Sequence, residues 1–216
     1  MSRRILGIVL LLGLFSPGCQ SLYNTTMEKV FGYEKRHLLT KSVETLRKDQ
    51  QKAQEEFKDA ITQIKELYGF EGGKLEATYN RLKSAYEDAQ SQAEVVGKRI
   101  ENMEGIAKSM FSEWEREIKQ FTNPTFAADS KRQLAETKTR YAQLSKSVRA
   151  SEQSMQPVLK QLNDYVLYLK HNLNAASIGS LKGEAGSIQT QIEQLIQRMN
   201  DSIAEADAFI QSMPKE

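Results

Sequence analysis

The sequence predicts an all-α protein, an elongated antiparallel helical bundle or set of coiled-coil hairpins with about four long helices. Three observations predict it. Glu, Lys, Gln, Ala, Ser and Leu abound, while only 4 Pro and 12 Gly interrupt 216 residues, a bias toward long helices over sheets. Apolar residues recur at alternating steps of three and four, the heptad spacing of helices that pack along a seam. The clearest breakers separate four such seams, at Gly69 to Lys74, at Thr122-Asn123-Pro124 and at Asn172-Leu173-Asn174.

Residues 1–18 precede the bundle and read as a lipoprotein-type signal peptide. Arg3 and Arg4 supply positive charge, Ile5 to Phe15 is an apolar run, and Ser16-Pro17-Gly18 leads into Cys19, the single cysteine. The run falls short of the roughly 20 apolar residues that span a bilayer. Cys19 is the candidate lipid-attachment residue, because its sulfur can carry a diacylglycerol anchor. Ser16 stands where the usual motif has Leu, so an ordinary secretory signal or an uncleaved anchor remains an alternative. Residues 19–33 read as a tether.

Residues 34–216 read as a single elongated coiled-coil domain. Helix one runs from about Glu34 to Tyr68 on the seam Leu39, Val43, Leu46, Gln50, Ala53, Phe57, Ala60, Ile64, Leu67, with Gln50 its one polar member. Gly69 and Gly72-Gly73 end it, since glycine accepts the left-handed conformation of a C-terminal cap. Helix two, from about Leu75 to Phe121, carries Leu75, Tyr79, Leu82, Tyr86, Ala89, Ala93, Val96, Ile100, Met103, Ala107, Met110, Trp114, Ile118 and Phe121. Its small residues Ala89 and Ala93 leave space for a facing aromatic such as Phe57 or Tyr141. Pro124 stops it, because the residue before a proline avoids the helical conformation.

Helix three starts near Ala127, with Asn123 or Thr125 as cap, on the seam Leu134, Thr137, Tyr141, Leu144, Val148, Ser151, Met155, Val158, Leu162, Tyr165, Leu169. Pro157 predicts a kink or a division into two shorter helices. Helix four, about Ala176 to Ser212, carries Ile178, Leu181, Ala185, Ile188, Ile192, Leu195, Met199, Ile203, Ala206 and Ile210, with a stutter between Met199 and Ile203. Gly179, Gly183 and Gly186 fall off this seam and soften the helix, or admit a close neighbour.

Charge narrows the function classes. The chain has 30 basic and 28 acidic residues; loss of Arg3 and Arg4 with the signal leaves 28 of each. That balance lacks the positive excess of a nucleic-acid binder. Gly69 to Lys74 is no phosphate loop, since Tyr68 and Leu75 stand where that loop requires Gly and Ser or Thr. His37 and His171 have no companions at metal-ligand spacing. Glu113, Glu115 and Glu117 diverge around a helix and form no carboxylate pair. No catalytic, cofactor-binding or metal-binding residue is predicted, and no small-molecule substrate is evident.

The stretch Tyr165 to Asn174 is denser in apolar and aromatic residues than its surroundings. Burial on several sides explains it. A partner-docking surface with Tyr168, Lys170, His171 and Asn172 on its accessible side is the sharper expectation.

The chain also resembles the DUF2959 family, bacterial proteins of unknown function that often carry a lipoprotein signal. The matching pieces are Gly18-Cys19-Gln20-Ser21, Met27-Glu28-Lys29-Val30, Glu34-Lys35-Arg36, Gly72-Gly73, Ser112-Glu113-Trp114-Glu115, Asp129 to Leu134, Tyr168 to Ala175 and Ser202 to Ile210. The resemblance implies an all-helical envelope protein and supplies no catalytic residues. The expectation is a non-enzymatic, periplasm-facing lipoprotein that serves as scaffold, spacer or adaptor. Its partners would be the membrane, through the lipid anchor, and an envelope protein or a second copy. Gln20, in place of the Asp that favours inner-membrane retention, points to the outer membrane. The alternative is a helical protein that binds or remodels lipid surfaces.

Overall fold

The computed structural model describes residues 18–69 and 75–213, with side chains from residue 35 onward apart from 175, 177, 184 and 185. The predicted signal segment and the Gly72-Gly73 tip lie outside the described residues. Four helices make up the described chain: α1 (Gly18–Tyr68), α2 (Leu75–Ile118), α3 (Pro124–His171) and α4 (Ala175–Ser212). At 1.5 Å per residue, the 44 residues of α2 extend for about 66 Å.

The helices form an antiparallel four-membered ring. α1 and α3 each pack against both α2 and α4. Cross-helix contacts fix direction and register. Asp49 meets Arg99 at 2.8 Å and Glu66 meets Arg81 at 3.2 Å between α1 and α2. Glu104 meets Arg149 at 2.6 Å between α2 and α3, Ser154 meets Arg198 at 2.7 Å between α3 and α4, and Arg47 meets Asp207 at 2.6 Å between α1 and α4. In every pair, residue numbers rise on one helix as they fall on the other.

The interior is one continuous apolar core. Every seam residue named for helix one is buried, Gln50 included. The α1–α2 register sets the fully buried Phe57 opposite Ala89 and Ala93, so large meets small. Tyr141 does not share that layer. It stands edge-on to Phe111 at 5.5 Å and to Phe209 at 6.1 Å, toward the other end of the bundle.

Several sequence expectations need correction. Residues 19–33, the expected tether, are helical and continuous with α1. α2 stops at Ile118, so Phe121 leaves the seam and is 45% exposed. Near the start of α2, Thr78 and Ala85 take the fully buried positions expected of Tyr79 and Tyr86, which are half-buried at the rim. α3 begins at Pro124, where the fixed φ of proline suits a first helical position, and Asn123 caps it by accepting from the amides of Thr125 and Phe126.

α3 is one helix through Pro157, so the division into two shorter helices does not occur. Pro157 faces solvent, where water can reach the carbonyl left without an amide partner, and the buried Met155, Val158 and Leu162 hold the helix on both sides.

The largest correction concerns α4. Its buried residues among those described are Ile178, Leu181, Ile188, Ile192, Leu195, Met199, Ser202, Ala206 and Phe209, with Met213 just past its end; the seam residue Ala185 lies outside the described side chains. The heptad therefore passes through Ser202 and Phe209, with no stutter at Ile203. The reason is a polar pair inside the core. Gln50 Nε2 donates to Ser202 Oγ at 2.6 Å, and both residues are fully buried. A buried hydrogen-bonded pair favours the one register that satisfies it.

Ser202→Ala is expected to lower the unfolding free energy by about 1–3 kcal/mol, because it strands a buried amide donor. The double change Gln50→Leu with Ser202→Ala should recover most of that loss. Urea unfolding of both variants followed by helicity is the check.

Candidate functional site

The bundle interior is filled, so sites are sought on its surface and at its ends. One end, here called distal, gathers the close of α1, the start of α2, the close of α3 and the start of α4. Buried Tyr165 and Leu169 anchor the last turns of α3 in the core. Tyr68 lies against Tyr165, and burial followed by that neighbour pushes its phenol well above the ordinary range. Asn172 caps α3: its amide N–H donates to Leu169 O at 3.2 Å and its side-chain Nδ2 to Tyr168 O at 3.0 Å.

The four residues expected on a docking face divide accordingly. Tyr168, Lys170 and His171 are exposed, whereas Asn172 is half-buried and occupied in ending the helix. Leu167 and Leu173, 47% and 41% exposed, add apolar surface to Tyr168 at this end of α3. The sequence held a signal for Leu167, because it stands two residues from the seam positions Tyr165 and Leu169.

The opposite end, here called proximal, is tied across three helices. The Arg36 guanidinium of α1 stacks over the Trp114 ring of α2 at 5.0 Å. Trp114 Nε1 donates to Ser130 Oγ of α3 at 2.8 Å. Lys35 pairs with Glu113 at 2.7 Å, and Glu115 pairs with Lys138. Glu113 thus reaches α1 while Glu115 reaches α3, the divergence expected of alternate helical positions. Cys19 lies on the first turn of α1, and its thiol is outside the described side chains.

Between the ends runs a belt of ionic and amide contacts. Arg149 grips both carboxylate oxygens of Glu104, at 2.6 and 2.9 Å, and touches Glu152 at 2.9 Å. The Arg149 contacts hold the Glu104 carboxyl below its usual range. Gln54 reaches Asn200 at 2.7 Å, and Gln92 reaches the Asp49 carbonyl at 3.0 Å. Apart from Arg149 with Glu152 inside α3, these contacts run between helices, and they converge on no common point.

Among the described residues, no group of three or more His, Cys, Asp or Glu side chains could hold a metal ion. His37 and His171 are exposed at opposite ends. A shallow open groove of about 630 Å³ lies between α1 and α2, lined by residues that include Lys35, Leu38, Lys98 and Ile106. No helix among the described residues is long and apolar enough to cross a membrane.

A family model described as "Protein of unknown function (DUF2959)" matches residues 23–213. No curated protein and no solved structure matches the chain.

Tyr141 adds to the loss of stability at alkaline pH, in the same direction as Tyr68. Burial, then the nearby Glu104 charge, push its phenol from 10.0 up to about 12. In the unfolded chain the phenol releases its proton near 10.0, whereas the fold retains it to about 12. The folded state therefore binds more protons between those values, and stability falls as pH rises through them. Tyr141→Phe should flatten that decline, and helicity measured through alkaline titration checks it.

Proposed function

Because the chain belongs to the DUF2959 family of proteins of unknown function, its role has to be argued from its own residues, and we propose that it is a non-enzymatic lipoprotein of the bacterial cell envelope. It is tethered through Cys19, faces the periplasm from the outer membrane, and acts as a coiled-coil scaffold, spacer or adaptor.

One observation carries this reading. Among the described residues, the exposed large hydrophobic side chains are Phe121 and Phe126 at the proximal turn, Leu38 on the proximal part of α1, and Leu167, Tyr168 and Leu173 at the distal end. The body between them is a rod whose apolar stripes are buried and whose cross-helix ion pairs and amide contacts tie its helices together. Such a shape holds two sets of contacts apart. The apolar run Ile5–Phe15 followed by Cys19 supports attachment at the end where α1 begins.

Tyr168, Lys170 and His171, framed by Leu167 and Leu173, form the partner contact of the distal end. The partner is an envelope protein or a second copy of the chain. A protein that binds lipid along an amphipathic helix needs an apolar face turned outward. Four stripes turned inward disfavour that alternative.

Radiolabelled palmitate should enter the wild-type chain and not Cys19→Ala; absence of label in both would remove the lipoprotein reading. A photo-crosslinker at Tyr168 or Lys170 should capture one discrete species in intact cells, while the same probe at exposed mid-rod Lys52 should capture none. Equal capture from all three positions would count against a distal docking surface.

A further inference from the structure

The turn between α2 and α3 has an unusual makeup for an exposed segment. From Ile118 to Ala128 the only charged side chain is Lys119. Within that stretch Phe121 is 45% and Phe126 is 59% exposed. The acids that border it are engaged, Glu115 by Lys138, Asp129 by Arg132 at 3.0 Å, and Glu117, directly beside the turn, by a contact of its own. Lys119, Lys131 and Arg132 are exposed around it. Two bare aromatic rings, a rim of basic groups and no acid within the turn suit the boundary of an anionic lipid surface.

Topology places this turn at the end from which the chain enters. α1 runs away from it as its numbering rises, since Lys35 meets Glu113 and Arg36 meets Trp114 just before α2 ends. The apolar run Ile5–Phe15 and Cys19 precede that same end of α1. Phe121 is seven residues past Trp114, hence level with about residue 29 of α1, and Cys19 lies roughly 15 Å further along the axis. A bundle standing upright on α1 would hold the rings above the lipid. A bundle leaning toward α2 and α3 lowers them into the headgroup zone.

We infer that the Phe121–Phe126 tip is a second membrane contact, seated in the lipid surface that holds the N-terminal anchor, so that the rod leans on this tip. The inference rests on the proposed anchoring at the N-terminal end. The distal end, a rod's length away, is left free for the docking contact.

The test uses the full chain in vesicles of phosphatidylethanolamine and phosphatidylglycerol, with an environment-sensitive dye on Thr125→Cys or on Lys170→Cys. Lipids carrying a shallow spin-label quencher should reduce emission from position 125 by about half or more and leave position 170 nearly unchanged. Adding Phe121→Ser with Phe126→Ser should lower the quenching at position 125 at least about twofold, with helicity retained. Equal weak quenching at both positions, or quenching indifferent to the two Phe changes, would overturn the inference. A concentration-dependent emission change in detergent without lipid would mark pairing with a second copy and would also overturn it. Mass analysis of the N-terminal peptide reads the anchor separately. An unmodified Cys19 with residues 5–15 intact removes the lipoprotein reading and leaves the tip result standing, because the chain still enters the membrane from this end.

Discussion

Burial of four apolar stripes against one another, in a single register, is the constraint on which the rest of this structure depends. Helices of 38 to 51 residues expose such a stripe along their whole length when alone. Short connections at 119–123 and 172–174 make successive helices antiparallel neighbours. The ring closes when α4 returns to α1, and Gln50 meeting Ser202 fixes where it closes. Phe57 fits only where Ala89 and Ala93 make room. A slip of one heptad would set Phe57 against bulkier neighbours and leave Gln50 without its acceptor.

The polar contacts contribute less energy than their number suggests. Arg81 with Glu66 and Lys83 with Glu87 are about half-exposed, and such pairs contribute about 0–1 kcal/mol. Their effect is on alignment. Asp49 with Arg99, Glu104 with Arg149 and Arg47 with Asp207 each join a different pair of helices and are satisfied in the same register. Side chains so engaged within the rod are unavailable to gather around a substrate. Chemical individuality is therefore displaced to the two ends.

Those ends are also where much of the family resemblance falls. Glu34 to Arg36, Ser112 to Glu115 and Asp129 to Leu134 come together proximally, where Arg36 covers Trp114 and Trp114 holds Ser130. Tyr168 to Ala175 closes the distal end. The proximal cluster is a structural clasp on three helices beside an exposed aromatic tip. The distal segment caps a helix and presents Tyr168, Lys170 and His171 outward. Membrane attachment at one end and a partner at the other follow from this polarity as a proposal.

The seams of α1 and α3 are legible in the sequence almost residue by residue, because apolar neighbours at unbroken three-four steps carry the register through the polar Gln50, Thr137 and Ser151. The seam of α4 was misread at Ser202, because a small polar residue carries no apolar signal until its partner Gln50, 152 positions away, is set beside it. Phe121 was assigned to the core because periodicity cannot see where a helix stops, and α2 stops at Ile118. Gly179, Gly183 and Gly186 left two readings open; with no atom within 4 Å of an added Cβ at any of them, close approach by a neighbour is removed and local softness remains. The sequence by itself determined that four long helices must pack lengthwise, since heptad spacing is a local property of each segment. Only the tertiary structure decided which helices adjoin, which polar residues are buried and which aromatic side chains are left in solvent, because each of these depends on what stands opposite in space.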